Sequence, residues 1–104
     1  MYNADCRIIA AEEQRVDSDT LQTEHVESQR PEVRCSLRQL SEREEIAALG
    51  RVAIGAWRCR LHSTLPIQAG WRLLARIDGE SEWREYVVRR PSRGLHWNLL
   101  VERV

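Results

Sequence analysis

The chain has 104 residues, of which 42% are hydrophobic and 31% are charged, with 16 basic and 16 acidic side chains. This length fits one domain, and the composition is typical of a globular protein and excludes a disordered tail. No apolar run approaches the ~20 residues that span a bilayer, and residues 1–5 lack the pattern of a secretion signal, so we expect no membrane association.

The charges are divided unevenly between the two halves of the chain. Residues 1–50 carry eleven acids and six arginines, whereas residues 51–104 carry ten arginines and five acids, giving net charges of −5 and +5. Every basic residue is Arg, whose planar guanidinium pairs bidentately with carboxylates. A chain with an acidic half and a basic half is suited to head-to-tail contact with copies of itself.

The N-terminal third shows a weak strand pattern followed by an acidic stretch. Residues 6–11 form a candidate strand. Residues 12–32 hold seven acids, two arginines and few apolar residues, which favours a long polar loop with one candidate strand at 21–28.

From residue 33 onward the hydrophobic period is mainly two, as in half-buried antiparallel strands. The predicted strands span residues 33–38, 55–62, 71–77, 83–90 and 95–104, with Pro91 breaking the chain before the last of them. One helix of about two turns is predicted over 41–50. Ser41 and Glu44 match a capping box, and Gly50 stands where a left-handed C-terminal residue belongs.

These elements predict an all-β fold, a small mostly antiparallel β-barrel of about six strands with one short α-helix and a long N-terminal loop, in a single domain over 1–104. Trp83, beside a polar turn, is expected to be partly exposed. The alternating faces predict a core of Trp57, Trp71, Leu73, Ile77, Val87 or Val88, Trp97 and Leu99, with Leu95 on the same inward face.

The sequence offers little chemistry. The three cysteines are odd in number and have no C-x-x-C spacing, which predicts reduced, inert thiols. The three histidines fall on separate segments, which predicts solvated surface residues and no metal site. Nucleophile-elbow, P-loop and dinucleotide motifs are absent, so we expect no enzymatic activity and no cofactor. The cysteines are Cys6, Cys35 and Cys59, and the histidines are His25, His62 and His96.

Three segments, taken in chain order, resemble the successive elements of one known protein family. VRCSLRQLSEREEIAALG is similar to a strand leading into a Leu-Ser-x-Arg-Glu helix that ends in Gly. AWRCRLHSTLPIQAGWRLLARIDG is similar to two strands around a Pro-x-x-x-Gly loop, and REYVVRRPSRGLHWNLLVERV to a final strand pair. Together they resemble the head-closure, or head–tail joining, family of long-tailed phages.

That resemblance implies a structural virion protein of the phage neck. The subunits would form a homo-oligomeric ring of about twelve or about six copies, with a portal or adaptor ring on one side and a tail-terminator or tail protein on the other. The ring would close the head after packaging, give the tail a docking platform, and surround the packaged DNA without reading its sequence. The protein would reside in the virion neck, and in the host cytoplasm during assembly.

Two groups of site residues follow from the charge pattern and the resemblance. The resemblance implies that one segment of each subunit reaches into the channel, and the capped helix start is our candidate: Ser41, Glu42, Arg43, Glu44 and Glu45. Charge complementarity predicts the subunit interface, formed by Glu12, Glu13, Asp17, Asp19, Glu24, Glu27, Arg89, Arg90 and Arg93.

Two other functions stay open at this level. Arg-rich strands with tryptophans also fit a small nucleic-acid-binding β-barrel of the OB or SH3-like type, although the net charge of zero argues against it. The acidic stretch would also fit a phage-encoded inhibitor that binds a host protein.

Overall fold

The computed structural model describes residues 1–17, 22–41, 43, 44, 47, 50 and 55–104, and it describes residues 12–17 and 22–26 by their backbone alone. Within these described residues, seven strands form one antiparallel sheet. They are β1 (Ala4–Asp17), β2 (Gln22–Gln29), β3 (Val33–Gln39), β4 (Ala56–Leu61), β5 (Arg72–Ile77), β6 (Arg84–Arg93) and β7 (Trp97–Arg103).

Six of these strands close into a barrel. They follow the order β1-β3-β4-β7-β6-β5, and pairing of β5 with β1 completes the circle. Closure leaves these six strands without a free barrel edge, the usual solution for a small all-β domain. The predicted small β-barrel is therefore confirmed.

The barrel core follows the predicted alternation. Of the predicted core residues, Trp71, Leu73, Val88, Trp97 and Leu99 are buried, while Trp57 and Ile77 are half-buried and pack against them. Val88 rather than Val87 faces the core. Tyr86, two residues earlier on the same face, is also fully buried and meets Trp57 edge-on with 6.0 Å between ring centroids.

The N-terminal third differs in part from the prediction. The candidate strands at 6–11 and 21–28 fall on β1 and β2, but the long polar loop predicted over 12–32 does not hold. Residues 9–17 of β1 pair with 22–29 of β2 in a two-stranded ribbon that continues beyond the barrel, and its sequence lacks the alternation that marks the other strands.

The last hairpin also differs from the prediction. Pro91 does not break the chain, because β6 continues through it to Arg93 after a bulge between Val88 and Arg90. Pro91 pairs with Leu99 beyond the point where β5 borders β6, so this part of β6 is an edge in the described structure, and an edge tolerates proline. The chain turns at 94–96 instead, and this leaves Leu95 96% exposed in the turn rather than inward.

The segment between β3 and β4 begins with the predicted capping box. The Glu44 backbone N–H donates to Ser41 Oγ and the Ser41 backbone N–H donates to Glu44 Oε1, both at 3.3 Å. Residues 43, 44 and 47 are helical, and Gly50 has a φ of 72°. The remaining positions of the predicted helix lie outside the described residues. In the described part of the chain, no helix is long and apolar enough to cross a membrane.

Candidate interaction surface

The ribbon forms an arm, which we define as residues 10–17 and 22–29. Pairing of β1 with β3 ends at Cys6 and pairing with β5 ends at Ile9, so beyond that point the β1 backbone is paired with β2. At about 3.4 Å per residue, residues 10–17 extend about 27 Å. The molecule measures 50 × 31 × 28 Å along its principal axes, so the arm is about as long as the barrel is wide.

Three contacts fix the root of the arm to the barrel. The indole N–H of Trp71 donates to the carbonyl of Ala11 at 3.1 Å. The backbone N–H of Arg30 donates to the carbonyl of Ile8 at 2.8 Å. Glu27 pairs with Arg72, which also binds Glu85 on β6. The direction in which the arm leaves the barrel is therefore set by a buried indole and a bridging guanidinium.

The structure brings most of the predicted acidic interface residues to this arm. Glu12, Glu13 and Asp17 lie on β1, and Glu24 and Glu27 lie on β2, with backbone partners Glu13↔His25 and Gln14↔Glu24. Asp19 lies outside the described residues. Glu27 is paired at the root of the arm within its own chain.

Arg34 on β3 and Arg76 on β5 are paired with carboxylates of the same chain. Arg34 binds Asp78 at 2.7 Å and Asp5 at 2.8 Å, and Arg76 binds Asp5 at 3.3 Å. The hydrogen bond from Arg34 holds the pKa of both Asp5 and Asp78 below the usual value of 3.8, and Arg76 adds to the effect on Asp5. The charges of these two arginines are therefore balanced within the chain.

The outer surface of β4, β7 and β6 is different. We define the basic face as Arg58, Arg60 and Arg90 on this surface, together with Arg93 at its end, where it stands opposite Trp97. Arg58 and Arg90 both stand opposite Leu100, and Arg60 stands opposite Asn98. Among the described residues, no carboxylate forms an ion pair with any of these four guanidinium groups. Arg58 donates to the neutral amide oxygen of Asn98 at 3.0 Å.

Arg93 places its guanidinium 5.4 Å from the centre of the Trp97 ring, beside the exposed Leu95. A shallow concavity between Arg60 and Arg93 is also lined by His96 and Asn98. Of the arginines predicted at the interface, Arg90 and Arg93 belong to this face, whereas Arg89 pairs with Glu102 at 3.4 Å. Arg58 and Arg60 were not predicted at the interface, although the alternation of residues 57–61 already placed both on the outward face of their strand.

Two histidines predicted on separate segments meet at the end of the basic face. Their Nδ1 atoms are 3.2 Å apart and the rings cross at 74°. Leu61 pairs with Trp97, so His62 and His96 are the next residues across the same strand pair. Burial lowers the pKa of His96, with smaller contributions from the nearby His62 and Arg60. The cross-strand register, which the sequence does not reveal, brings them together.

The predicted channel segment is partly described. Ser41 and Glu44 form the capping box, and Arg43 is exposed. Arg38 on β3 holds the Glu44 carboxylate with two bonds of 3.0 and 2.9 Å and lowers the pKa of Glu44 to about 2. Glu42 and Glu45 lie outside the described residues.

No family model matches this chain, and no curated protein matches it. A solved structure that is similar is the solution structure of protein SF1141 from Shigella flexneri 2a, a structural genomics target. It superimposes with a TM-score of 0.71 at 16% sequence identity, covering 98% of this chain and 93% of that chain. At this identity the similarity shows a shared fold that includes nearly the whole of both chains.

Proposed function

We propose that this protein is a structural subunit of a tailed-phage neck, forming a ring between the portal or adaptor and the tail. The ring closes the head after DNA packaging and gives the tail a docking platform. The observation that carries the proposal is a closed barrel with an acidic arm on one side and, on another, a basic face whose arginines have no acidic partner among the described residues. The resemblance of residues 33–104 to the head-closure family supports it.

The charges favour one kind of contact between copies. Two arms laid side by side would place acids against acids, which disfavours a two-fold pairing through the arm. An arm laid on the basic face of another copy pairs opposite charges instead. Such a contact joins unlike surfaces, and when the rotation closes it generates a ring.

The dimensions allow this contact. The arm is about 27 Å long at the usual rise of an antiparallel strand, so it reaches across a barrel of similar width. Exposed ion pairs contribute about 0–1 kcal/mol each, so a few of them give weak association of free subunits. We therefore expect assembly to be concentration-dependent, to weaken with salt, and to be completed on the adjoining adaptor ring.

Charge reversal tests the arm-to-face contact. An arm-reversed variant, E12R/E13R, and a face-reversed variant, R60E/R90E, should each lose self-association in analytical ultracentrifugation at low salt. Mixed in equal amounts they should associate again, because every arm then meets a face of opposite charge. Such a mixed ring alternates the two variants, so its copy number must be even, as in a ring of about six or about twelve.

A matched control separates this effect from net charge. The variant R43E/R103E makes the same change in net charge outside the basic face and should associate like the unmodified chain. The contact would be contradicted if the mixture of the two reversed variants stayed monomeric. It would also be contradicted if the control variant lost self-association to the same extent as the face-reversed variant. Absence of the protein from the neck in cryo-electron microscopy of virions would refute the function itself.

The basic face also favours a second candidate function, binding of single-stranded nucleic acid by the barrel. The four arginines of the basic face, one of which lies over Trp97, have no described acidic partner and could contact phosphates. Fluorescence anisotropy with a single-stranded DNA oligonucleotide distinguishes the two functions. Nucleic-acid binding by the barrel predicts tight affinity, and the logarithm of the binding constant then falls by about 0.7 per neutralised phosphate for each tenfold rise in salt. The neck function predicts only weak binding of the oligonucleotide, to which the acidic arm contributes no affinity.

A further inference from the structure

Three cysteines from three neighbouring strands meet in the barrel core. Cys6 lies on β1, Cys35 on β3 and Cys59 on β4, and all three are free thiols with no exposed surface. Their Sγ atoms all lie within 4.8 Å of one another. The sequence predicted separate inert thiols and did not reveal this convergence.

The strand register explains the convergence. Cys35 stands opposite Ala4, and Cys6 is the next inward position on β1. Cys59 stands opposite Leu37, the next inward position after Cys35 on β3. Each thiol is therefore the diagonal neighbour of another on the same face of the sheet, a distance at which side chains contact each other.

We propose that Cys6, Cys35 and Cys59 form a three-coordinate site for Cu(I). In a trigonal site with metal–sulfur bonds of about 2.3 Å, the three sulfurs lie about 4.0 Å apart. The observed separations are within 4.8 Å, so small rotations of the three side chains bring the sulfurs to that spacing.

The choice of metal follows from the number and type of ligands. Thiolate sulfur is soft and selects Cu(I), zinc or iron–sulfur clusters. Structural zinc takes four ligands in a tetrahedron, and among the described residues this group contains the three cysteines and no histidine or carboxylate. Complete burial also keeps water from supplying a fourth ligand.

Binding needs no change of oxidation state. Each copper–sulfur bond that forms from a thiol releases its proton to the buffer, and copper stays in the Cu(I) state throughout.

Copper transfer from a coloured chelator tests the site. Reduced full-length protein is mixed without oxygen with the Cu(I) complex of bathocuproine disulfonate, and loss of the chelator colour measures the copper taken up. We expect one Cu(I) per chain, a new near-ultraviolet thiolate-to-copper absorption, and a rise in the thermal midpoint, because an ion bound by the folded state alone stabilises it. Since the thiols are buried, a second sample is unfolded and refolded with Cu(I) present.

Variants identify the ligands. C35A should bind Cu(I) at least tenfold more weakly, whereas V88A, a core truncation that keeps all three thiols, should bind like the unmodified chain. No uptake by either loading route would overturn the proposal, as would equal uptake by C35A. Preferential uptake of Zn(II) over Cu(I) would overturn the three-coordinate geometry. None of these outcomes depends on the neck function.

Discussion

Removal of the Trp97 side chain tests how the barrel core is packed. Trp97 is 7% exposed at the start of β7, and its indole N–H donates to the carbonyl of Ser63 at 3.2 Å. Truncation of a buried Trp to Ala costs about 3–5 kcal/mol. The variant also leaves the Ser63 carbonyl without this donor, a loss of about 1 kcal/mol in itself. We therefore expect W97A to lower the free energy of unfolding by about 4 kcal/mol.

Urea denaturation followed by far-ultraviolet circular dichroism measures this cost. With a slope of about 2 kcal/mol per molar urea, a loss of about 4 kcal/mol moves the midpoint by about 2 M. Domains of this size have stabilities of about 5–15 kcal/mol, so the variant should still fold in the absence of urea. Dilute protein at moderate salt keeps self-association from contributing to the measurement.

W83A is the matched control. Trp83 is half-buried between the guanidinium groups of Arg7 and Arg76, each 4.7 Å from the ring centre. Such contacts contribute about 0.5–1 kcal/mol at exposed sites, so W83A should cost about 1–2 kcal/mol. A cost below about 1 kcal/mol for W97A, or equal costs for the two variants, would refute the argument that Trp97 is an interior anchor.

Two further predictions concern ion pairs and backbone strain. Arg34 holds the pKa of Asp5 and Asp78 below 3.8, so their pairs stabilise the fold above about pH 4 and this stabilisation is lost as the pH falls further. We expect R34M to lower the thermal midpoint at neutral pH and to flatten its decline in acid, and an unchanged pH profile would argue against this. Gly55 has a φ of 82°, and an added Cβ would lie 2.9 Å from the Cβ of Arg103, so G55A should cost about 2–3 kcal/mol in urea denaturation. Gly79 has a φ of 89° with open space around it, so G79A should cost only about 1–2 kcal/mol, and equal costs would show that the Arg103 contact relaxes freely.

Local sequence patterns determined the strands from residue 33 onward, the capping box and most of the core. Alternation is a property of residues two apart, so it marks Leu73 and Leu99 as inward wherever their strands finally pair. Ser41 and Glu44 bond each other across one turn and need no tertiary partner. Of the arm, only a candidate strand at 21–28 was predicted, because residues 12–17 carry no alternation that would mark them as a strand.

The tertiary structure decided which charges are compensated and which thiols meet. Arg76 binds Asp5 across 71 residues of sequence, whereas Arg60, equally outward on its own strand, has no acidic partner in the described part of the chain. Cys6 reaches Cys35 and Cys59 only because β1 pairs with β3, which is separated from it along the chain by β2. Parity along one strand says which face a residue occupies, but its neighbours on that face depend on strand order and register, which arise from pairing of distant segments.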